Sequence, residues 1–422
     1  MSEHKEQQKA AAAAVMYHHA VPEWAAKDVW SSSLGVWLGA WDTSVLTNRY
    51  KLVKQLGEGA YGTVVLAHDT LTGKQVAIKR SRWNHPRRDE SHPTRLLRET
   101  QLLLELRGLP NLLQIQGVLV SKSPAFKEIY VVTEAMDADL TLLFDRKVQL
   151  VEQHLRWWGY KLTLALALLH AKGIVHRDLK PENVFITEAC DLVVGDFGLA
   201  RVVGSAPVKG GGGGAAGAAA AAGQTQHVCS RWYRPPEASM GKASGPSIDI
   251  WSLGCLLAEI YLLVQPDAER KPLFPGLYSS HSPVVPDVRR PAGQGKYAQL
   301  EIIRSVLGCP KPGHPQTKEN TWDGKEPKLT DEMAAKAWQD RFPGVAGDLL
   351  DVMLRCVQWE PSERPSAADL LEHPAFATVR SKATEEAAFA RVRESDPCPD
   401  LANDLGDEGR RAMLRELATK LA

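Results

Sequence analysis

The strongest constraint on the fold is a change of pattern partway along the chain. From Tyr50 onward YKLVKQLG, TVVLAHD and QVAIKR are short runs of β-forming residues broken by Gly and Asp, which predicts three antiparallel strands of a hairpin-built sheet. Thr94 to Leu106 then sets Leu96, Leu97, Leu103, Leu104 and Glu99 at helical spacing, and Gly108 with Pro110 stops it. IYVVTEAM, at 129 to 136, reads as a further buried strand. After it, helical patterns dominate: Glu152 to Ala171, Ile248 to Val264, Ala298 to Leu307, Gly347 to Trp359 and Ala367 to Leu371. This order predicts an α+β fold in which a small β-rich half precedes a larger helical half.

Composition narrows the function classes. With 422 residues there is ample chain for a large core, and 51 Lys+Arg against 50 Asp+Glu leave a net charge of +1. No global basic field exists to hold nucleic acid or an anionic membrane. A hydrophobic share of 44% and a charged share of 24% exclude wholesale disorder. The most apolar stretch, Ile248 to Val264, carries Asp249 and Glu259 and falls short of the roughly 20 apolar residues of a membrane span, so it reads as a buried helix. The opening Met-Ser-Glu-His-Lys-Glu lacks the layout of a signal peptide, and export is not expected. Cys190, Cys229, Cys255, Cys309, Cys356 and Cys398 lie far apart without a CxxC, which fits reduced thiols of a cytosolic or nuclear protein.

Three segments carry little fold information. Residues 1–48 hold an alanine run and then Trp24, Trp30, Trp37 and Trp41, spaced too irregularly for one helix or strand face. Gly210 to Gly223 has no large side chain to bury and reads as a tether, and Leu263 to Tyr297, rich in Pro and Ser, as an irregular surface excursion.

The chemistry-bearing motifs follow one another along the chain. Gly57-Glu58-Gly59-Ala60-Tyr61-Gly62-Thr-Val64 offers backbone amides to phosphate oxygens without a Cβ in the way. Strands follow it and no helix does, which disfavours dinucleotide binding. Val76-Ala77-Ile78-Lys79 ends a strand pattern, and a lone strand Lys is ordinarily a solvated edge charge. Glu99 lies 20 residues further on, either as an exposed helical acid or as the partner that holds Lys79. His176-Arg177-Asp178-Leu179-Lys180-Pro181-Glu182-Asn183, followed by Asp196-Phe197-Gly198, is the most specific cluster.

On these motifs the chain resembles the eukaryotic protein kinases from about Tyr50 to Phe376. The resemblance implies a bilobal fold with a small β-rich N-lobe at 49–134 and a larger helical C-lobe at 135–376, together forming the kinase domain 49–376. Residues 1–48 would be an N-terminal extension, and 377–422 a tail packing on the domain. It implies ATP and Mg²⁺ as cofactors. Asp178 would accept the substrate hydroxyl proton, Lys180 would sit near the transferred phosphoryl, Lys79 paired to Glu99 would hold the α and β phosphates, and Asn183 and Asp196 would hold magnesium. ATP would meet Leu56, Gly57, Glu58, Gly59, Ala60, Tyr61, Gly62, Val64, Ala77 and Lys79. Beyond these it would meet Thr133 at the gatekeeper position, Glu134 and Met136 of the hinge, and Asp139 at the ribose. Glu237 with Arg364, and Asp249 toward the His-Arg-Asp loop, match scaffold residues of the family.

Arg231-Trp232-Tyr233-Arg234-Pro235-Pro236-Glu237 resembles the segment ending of the group containing mitogen-activated and cyclin-dependent kinases. Gly57 to Gly62, Arg95 to Glu99, Met136 to Leu140, Cys190 to Leu192 and Lys271 to Gly276 are most similar to mitogen-activated protein kinases. That implies transfer to Ser/Thr-Pro sites of protein substrates in intracellular signalling, with Arg231 and Arg234 shaping the substrate pocket. An upstream kinase would activate the chain, a monomer of cytoplasm and nucleus with no nucleic-acid or membrane partner. Where the family carries Thr-x-Tyr, the chain reads Thr225-Gln226-His227, so Thr225 alone can take a phosphate, with Arg98, Arg177 and Arg201 to receive it. The acids of the tail, Glu394, Asp396, Asp400, Asp404, Asp407 and Glu408, would dock basic peptides or form a plain solvated face, ahead of a helical run with Met413, Leu414, Leu417 and Leu421. A catalytically silent scaffold, and a cyclin-dependent-like kinase needing a partner subunit, are the alternatives.

Overall fold

In a computed structural model of the chain, the described residues are 46, 49–59, 62–83, 92–121, 126–203, 231–239, 245–265, 271–275, 298–308, 336, 338–396, 398 and 405–421. Residues 1–45, Ala60, Tyr61, the Gly/Ala run 210–223, Thr225, His227, Asp400 and Asp404 lie outside them. The chain divides into two compact units. The first takes the described residues up to Asp139, Val184–Leu199 and the chain from Cys398 on; the second takes Leu140–Asn183 and the described residues from Ala200 to 396.

In chain order the strands and helices are β1 (Tyr50–Gly59), β2 (Gly62–Asp69), β3 (Gln75–Arg82), α1 (His92–Glu105), β4 (Ile115–Val120), β5 (Glu128–Glu134), β6 (Ala138–Asp139), α2 (Leu140–Asp145) and α3 (Glu152–Ala171). There follow β7 (Ile174–Val175), β8 (Val184–Ile186), β9 (Leu192–Val194), β10 (Arg201–Val202), α4 (Ser247–Leu262), α5 (Ala298–Leu307), α6 (Gly347–Cys356), α7 (Ala367–Leu371), α8 (Lys382–Glu394) and α9 (Asp407–Leu421).

The first unit is built on an antiparallel sheet of order β1-β2-β3-β5-β4. Because side chains alternate along a strand, its register sorts residues onto two faces. Val65, Ala67, Val76, Ile78, Tyr130 and Val132 form one buried apolar face, with Leu46 and Tyr50 packed into it. The other face carries Val64 opposite Lys79 and Ala77 opposite Thr133. A smaller sheet, β6-β8-β9, completes the strands of this unit. β4 was not expected from sequence. Its IQGVLV holds Gly117 beside an irregularity in the β5 pairing, which breaks the alternation a pattern would need.

α9 packs on α1 and β4 within the same unit, burying Leu414 and Leu417. The Trp83 Nε1–H donates to Asp407 Oδ1 at 2.7 Å, and the Arg411 guanidinium lies 4.9 Å from the Trp83 ring and 4.8 Å from the Phe126 ring. Asp407, read from sequence with the acids of the tail, is thus engaged by Trp83 and by Arg411 at 2.8 Å.

The second unit gathers around α3 and α4, both buried on nearly every side. Alternating Leu and Ala in KLTLALALLHA let α3 sit in the core. Gly254 lets α4 approach α6, since a Cβ there would meet the Cys356 Cβ at 2.6 Å. Burial pushes the Cys356 thiol up to about 12, which leaves it a packing residue. Cys190, Cys255, Cys356 and Cys398 are all unbridged and buried. One expectation needs correction. Part of the 263–297 excursion is core, because Leu273 and Phe274 are buried and Phe274 stacks 5.1 Å from Trp251. The tail has two parts: α8 lies in the second unit, where Arg380 is bonded to both Glu372 and Glu385 and Ser381 N–H donates to Tyr160 Oη, while α9 lies in the first.

Candidate active site

Within the first unit, Gly57, Glu58 and Gly59 end β1 and Gly62 begins β2, with Gly57 opposite Val64 and Gly59 opposite Gly62. Gly62 has φ +136°, and a Cβ there would lie 2.0 Å from the Arg80 carbonyl oxygen, so only glycine fits. Leu56, at the bulge before it, and Glu58 are exposed. One strand away, the Lys79 ammonium meets Glu99 Oε1 at 2.6 Å. Glu99 is 8% exposed, so the bland reading of a solvated helical acid does not hold. Burial pushes its carboxyl above the usual range, the Lys79 ammonium opposes this, and the Asp196 charge adds to it.

Asp196 follows β9 with φ +59°, a left-handed conformation. Its Oδ1 accepts the Gly198 N–H at 3.3 Å, and a Cβ on Gly198 would sit 3.2 Å from that oxygen. The glycine therefore leaves room beside the carboxylate. Thr133 is buried at the end of β5, its hydroxyl donating to the Glu134 carbonyl at 3.2 Å. Met136 is half-buried, as is Asp139 in β6, across from Phe185.

Within the second unit, the segment His176–Asn183 follows β7. Lys180 Nζ lies 2.8 Å from Asp178 Oδ2, and Asn183 Nδ2 donates to Asp178 O at 2.8 Å and to Oδ2 at 3.1 Å. The backbone is fixed from beneath. Asp249, 0% exposed in the first turn of α4, accepts the N–H groups of His176 at 2.8 Å and Arg177 at 2.7 Å, and contacts His170 Nε2 at 2.9 Å. Burial alone would push its carboxyl up, yet the His170 hydrogen bond and charge, the His176 charge and the Arg177 N–H hold it below the ordinary value. Arg177 is held at φ +69°, a strain this anchoring supports. His170 was not singled out from sequence, because nothing in its spacing marks it as the support of an acid 79 residues away.

Of the other expected residues, Arg364 donates to both Glu237 oxygens at 2.7 and 2.8 Å, with its side chain fully buried and 5.0 Å from the Trp251 ring. Arg98 is buried on α1 in the first unit; Arg177 and Arg201 are half-buried in the second. Arg234 is half-buried after the short 3₁₀ turn Arg231–Tyr233, and the Arg231 side chain lies outside the described residues.

Within the first unit Asp196 carries a carboxylate after β9; within the second, the Asn183 Nδ2 is engaged with Asp178, which leaves its Oδ1 as an oxygen donor. Among the described residues no cluster of three or more His, Cys, Asp or Glu could hold a metal by itself. Carboxylate and amide oxygens are the donor types that a hard cation such as Mg²⁺ takes. Among the described residues no helix is long and apolar enough to cross a membrane.

Comparison with known proteins agrees with this arrangement. The protein kinase domain family matches residues 50–376. Mitogen-activated protein kinase 19 of Arabidopsis thaliana is 34% identical over 335 residues, covering 78% of this chain and 49% of that protein. Mitogen-activated protein kinase 14 of Oryza sativa subsp. japonica is 34% identical over 347 residues, 81% of this chain and 56% of its own, and mitogen-activated protein kinase 15 of the same rice is 34% identical over 347 residues, 81% and 61%. The chain thus spans about half the length of the curated relatives it matches. With the family match extending over most of its length and the motifs set out above lying inside it, the chain belongs to the protein kinase domain family and is similar to the mitogen-activated protein kinases within it.

Proposed function

We propose that the chain is an active serine/threonine protein kinase of mitogen-activated type, which moves the γ-phosphate of ATP to Ser or Thr followed by Pro in protein substrates. The observation that carries this reading is the His176–Asn183 loop, in which Asp178 is held by Lys180 and Asn183 while Asp249 fixes the backbone.

Each group has a distinct task. Asp178 accepts the proton of the attacking hydroxyl, and Lys180 offsets charge on the transferred phosphoryl. Lys79, held by Glu99, presents its ammonium to the α and β phosphates. Gly57, Gly59 and Gly62 let the hairpin backbone approach phosphate oxygens, and Val64, Ala77 and Thr133 offer the sheet face to the adenine. Asp196 and Asn183 would hold Mg²⁺, which when bound neutralises phosphate charge.

A silent scaffold would be expected to lack Lys79, Asp178 or Asp196, and all three are present. Thr225 is proposed as the activating phosphosite for an upstream kinase, received by Arg98, Arg177 and Arg201, with Arg231 and Arg234 shaping the preference for Pro. We further propose a monomer acting in cytoplasm and nucleus. Glu394, Asp396, Asp400, Asp404 and Glu408 would be the docking acids; Asp407 already serves Trp83 and Arg411. Transfer of labelled phosphate from ATP to a Ser-Pro peptide, compared with Asp196→Ala, tests the reading. Equal background in both proteins would favour a scaffold, and no preference for Pro in a peptide library would remove the substrate assignment.

A further inference from the structure

Between α1 and β4 the chain makes a turn, Gly108 to Gln114, whose polar groups reach two strands of the first unit, β9 and β5. Gly108 has φ +79° and Asn111 φ +60°, the latter an uncommon conformation outside glycine. Inside the turn, Gln114 Oε1 accepts the Gly108 N–H at 2.5 Å, and its Nε2 donates to the carbonyls of Leu109 at 3.0 Å and Leu112 at 2.5 Å. One side chain thus satisfies three main-chain groups of a strained turn.

Outside the turn, Asn111 Nδ2 donates to the Leu192 carbonyl at 2.9 Å. Val194 N–H donates to Asn111 O at 2.9 Å, and Leu113 N–H donates to Val194 O at 3.0 Å. The turn is therefore bonded along β9, the strand that ends two residues before Asp196. On its last residue it meets the end of β5. Glu134 N–H donates to Gln114 O at 3.0 Å, and Gln114 N–H donates to Glu134 Oε1, also at 3.0 Å. The Glu134 carboxylate is turned onto main chain, where burial raises its pKa, the Gln114 N–H lowers it and the Asp191 charge raises it. With its N–H and carboxylate on Gln114 and its carbonyl accepting the Thr133 hydroxyl, Glu134 is held on three sides.

We propose that Glu134, through its side chain, and Gln114, through its amide, are positioning residues for the nucleotide: they fix the 134–136 backbone that receives adenine and, through the same turn, the strand that delivers Asp196. This rests on the kinase reading above. A purely structural tie would affect folding stability; a positioning tie changes nucleotide affinity in the folded protein, and the change follows hydrogen-bonding capacity rather than bulk.

The test uses the full chain and its Glu134→Leu, Glu134→Gln and Gln114→Ala variants. The Mg-ATP dissociation constant is measured by calorimetry, KM and kcat with a saturating Ser-Pro peptide, and melting temperature on the same samples. Glu134→Leu should raise the dissociation constant and KM about 10-fold, the scale of one hydrogen bond to a charged group, with kcat at saturating ATP changed less than about threefold. Glu134→Gln, which keeps a carbonyl acceptor for the Gln114 N–H, should recover most of that loss. Gln114→Ala should raise KM for ATP and the magnesium concentration needed for half-maximal rate. Unmoved affinity in Glu134→Leu, or a Glu134→Gln as impaired as Glu134→Leu, overturns the proposal, and if Glu134→Leu fails to fold, the other two variants decide it by the same criteria. A wild-type chain that binds no Mg-ATP would instead overturn the kinase reading; binding and transfer by the wild type with unaffected variants overturns the positioning role alone.

Discussion

The two units hold their proposed catalytic groups in opposite ways. In the second, Asp178, Lys180 and Asn183 come from one eight-residue loop, bonded to one another across at most five positions and fixed by a fully buried carboxylate. In the first, Lys79 and Glu99 stand 20 residues apart on a strand and a helix, and a single ion pair joins them. The side-chain bonds of the loop are local, and its one distant support is the Asp249 carboxylate. The pair exists only while α1 is correctly packed, and α1 is packed by α9 and followed by the Gly108–Gln114 turn. A switch acting through conformation therefore has an adjustable element in the first unit and a fixed one in the second.

The largest effect should come from the fixed loop. Asp178→Asn removes the proposed proton acceptor while keeping the shape, and phosphate transfer should fall by about 10³-fold with little change in melting temperature. Lys79→Met should reduce transfer by about 10² to 10³-fold, chiefly through nucleotide handling, and a variant retaining more than a few per cent of wild-type rate would remove Lys79 from its role. Asp249→Ala separates the two modes of construction. It removes the carboxylate that accepts the N–H groups of His176 and Arg177, so urea unfolding should show a loss of about 3 kcal/mol together with a loss of activity. A change below about 1 kcal/mol would mean that the loop holds itself.

Smaller effects probe the adjustable pair. Arg411→Ala removes the guanidinium that lies over both the Trp83 and Phe126 rings and should cost about 1–2 kcal/mol, with a fall in kcat if α9 holds α1 in place. Stability loss with kcat unchanged would confine α9 to packing. The smallest effect is a pH slope. Asp249 titrates below 3.8 in the folded chain, so its stabilisation is complete above that value and is lost as pH falls through the lower folded one. Acid unfolding below pH 3.8 should be steeper for the wild type than for Asp249→Asn, and coincident slopes would assign the acid sensitivity to other carboxylates.

What sequence made legible follows the same division. The loop His176–Asn183, the hairpin glycines and the strand that carries Lys79 are local, so their residue types and spacings suffice, and α3, α5 and α7 have the bounds their periodicity predicts. Contacts at long range were not legible. Trp83 and Asp407 are 324 residues apart, and no pattern links an indole N–H to a tail acid at that distance. α8 was missed because only Glu385 and Ala388 of it are buried, which leaves no apolar stripe to detect. Apart from the Glu134 carboxylate, the reciprocal bonds of Gln114 and Glu134 use main-chain groups that every residue carries, so no spacing of residue types announces them.

Single-turnover transfer of labelled γ-phosphate to a Ser-Pro peptide, by wild type and Asp178→Asn at saturating Mg-ATP, tests the central claim most directly. The expected result is transfer by the wild type and a rate about 10³-fold lower in Asp178→Asn, with equal nucleotide affinity in the two proteins. Equal rates in both, or no transfer by a wild type that carries phosphate on Thr225 and binds Mg-ATP, would contradict it.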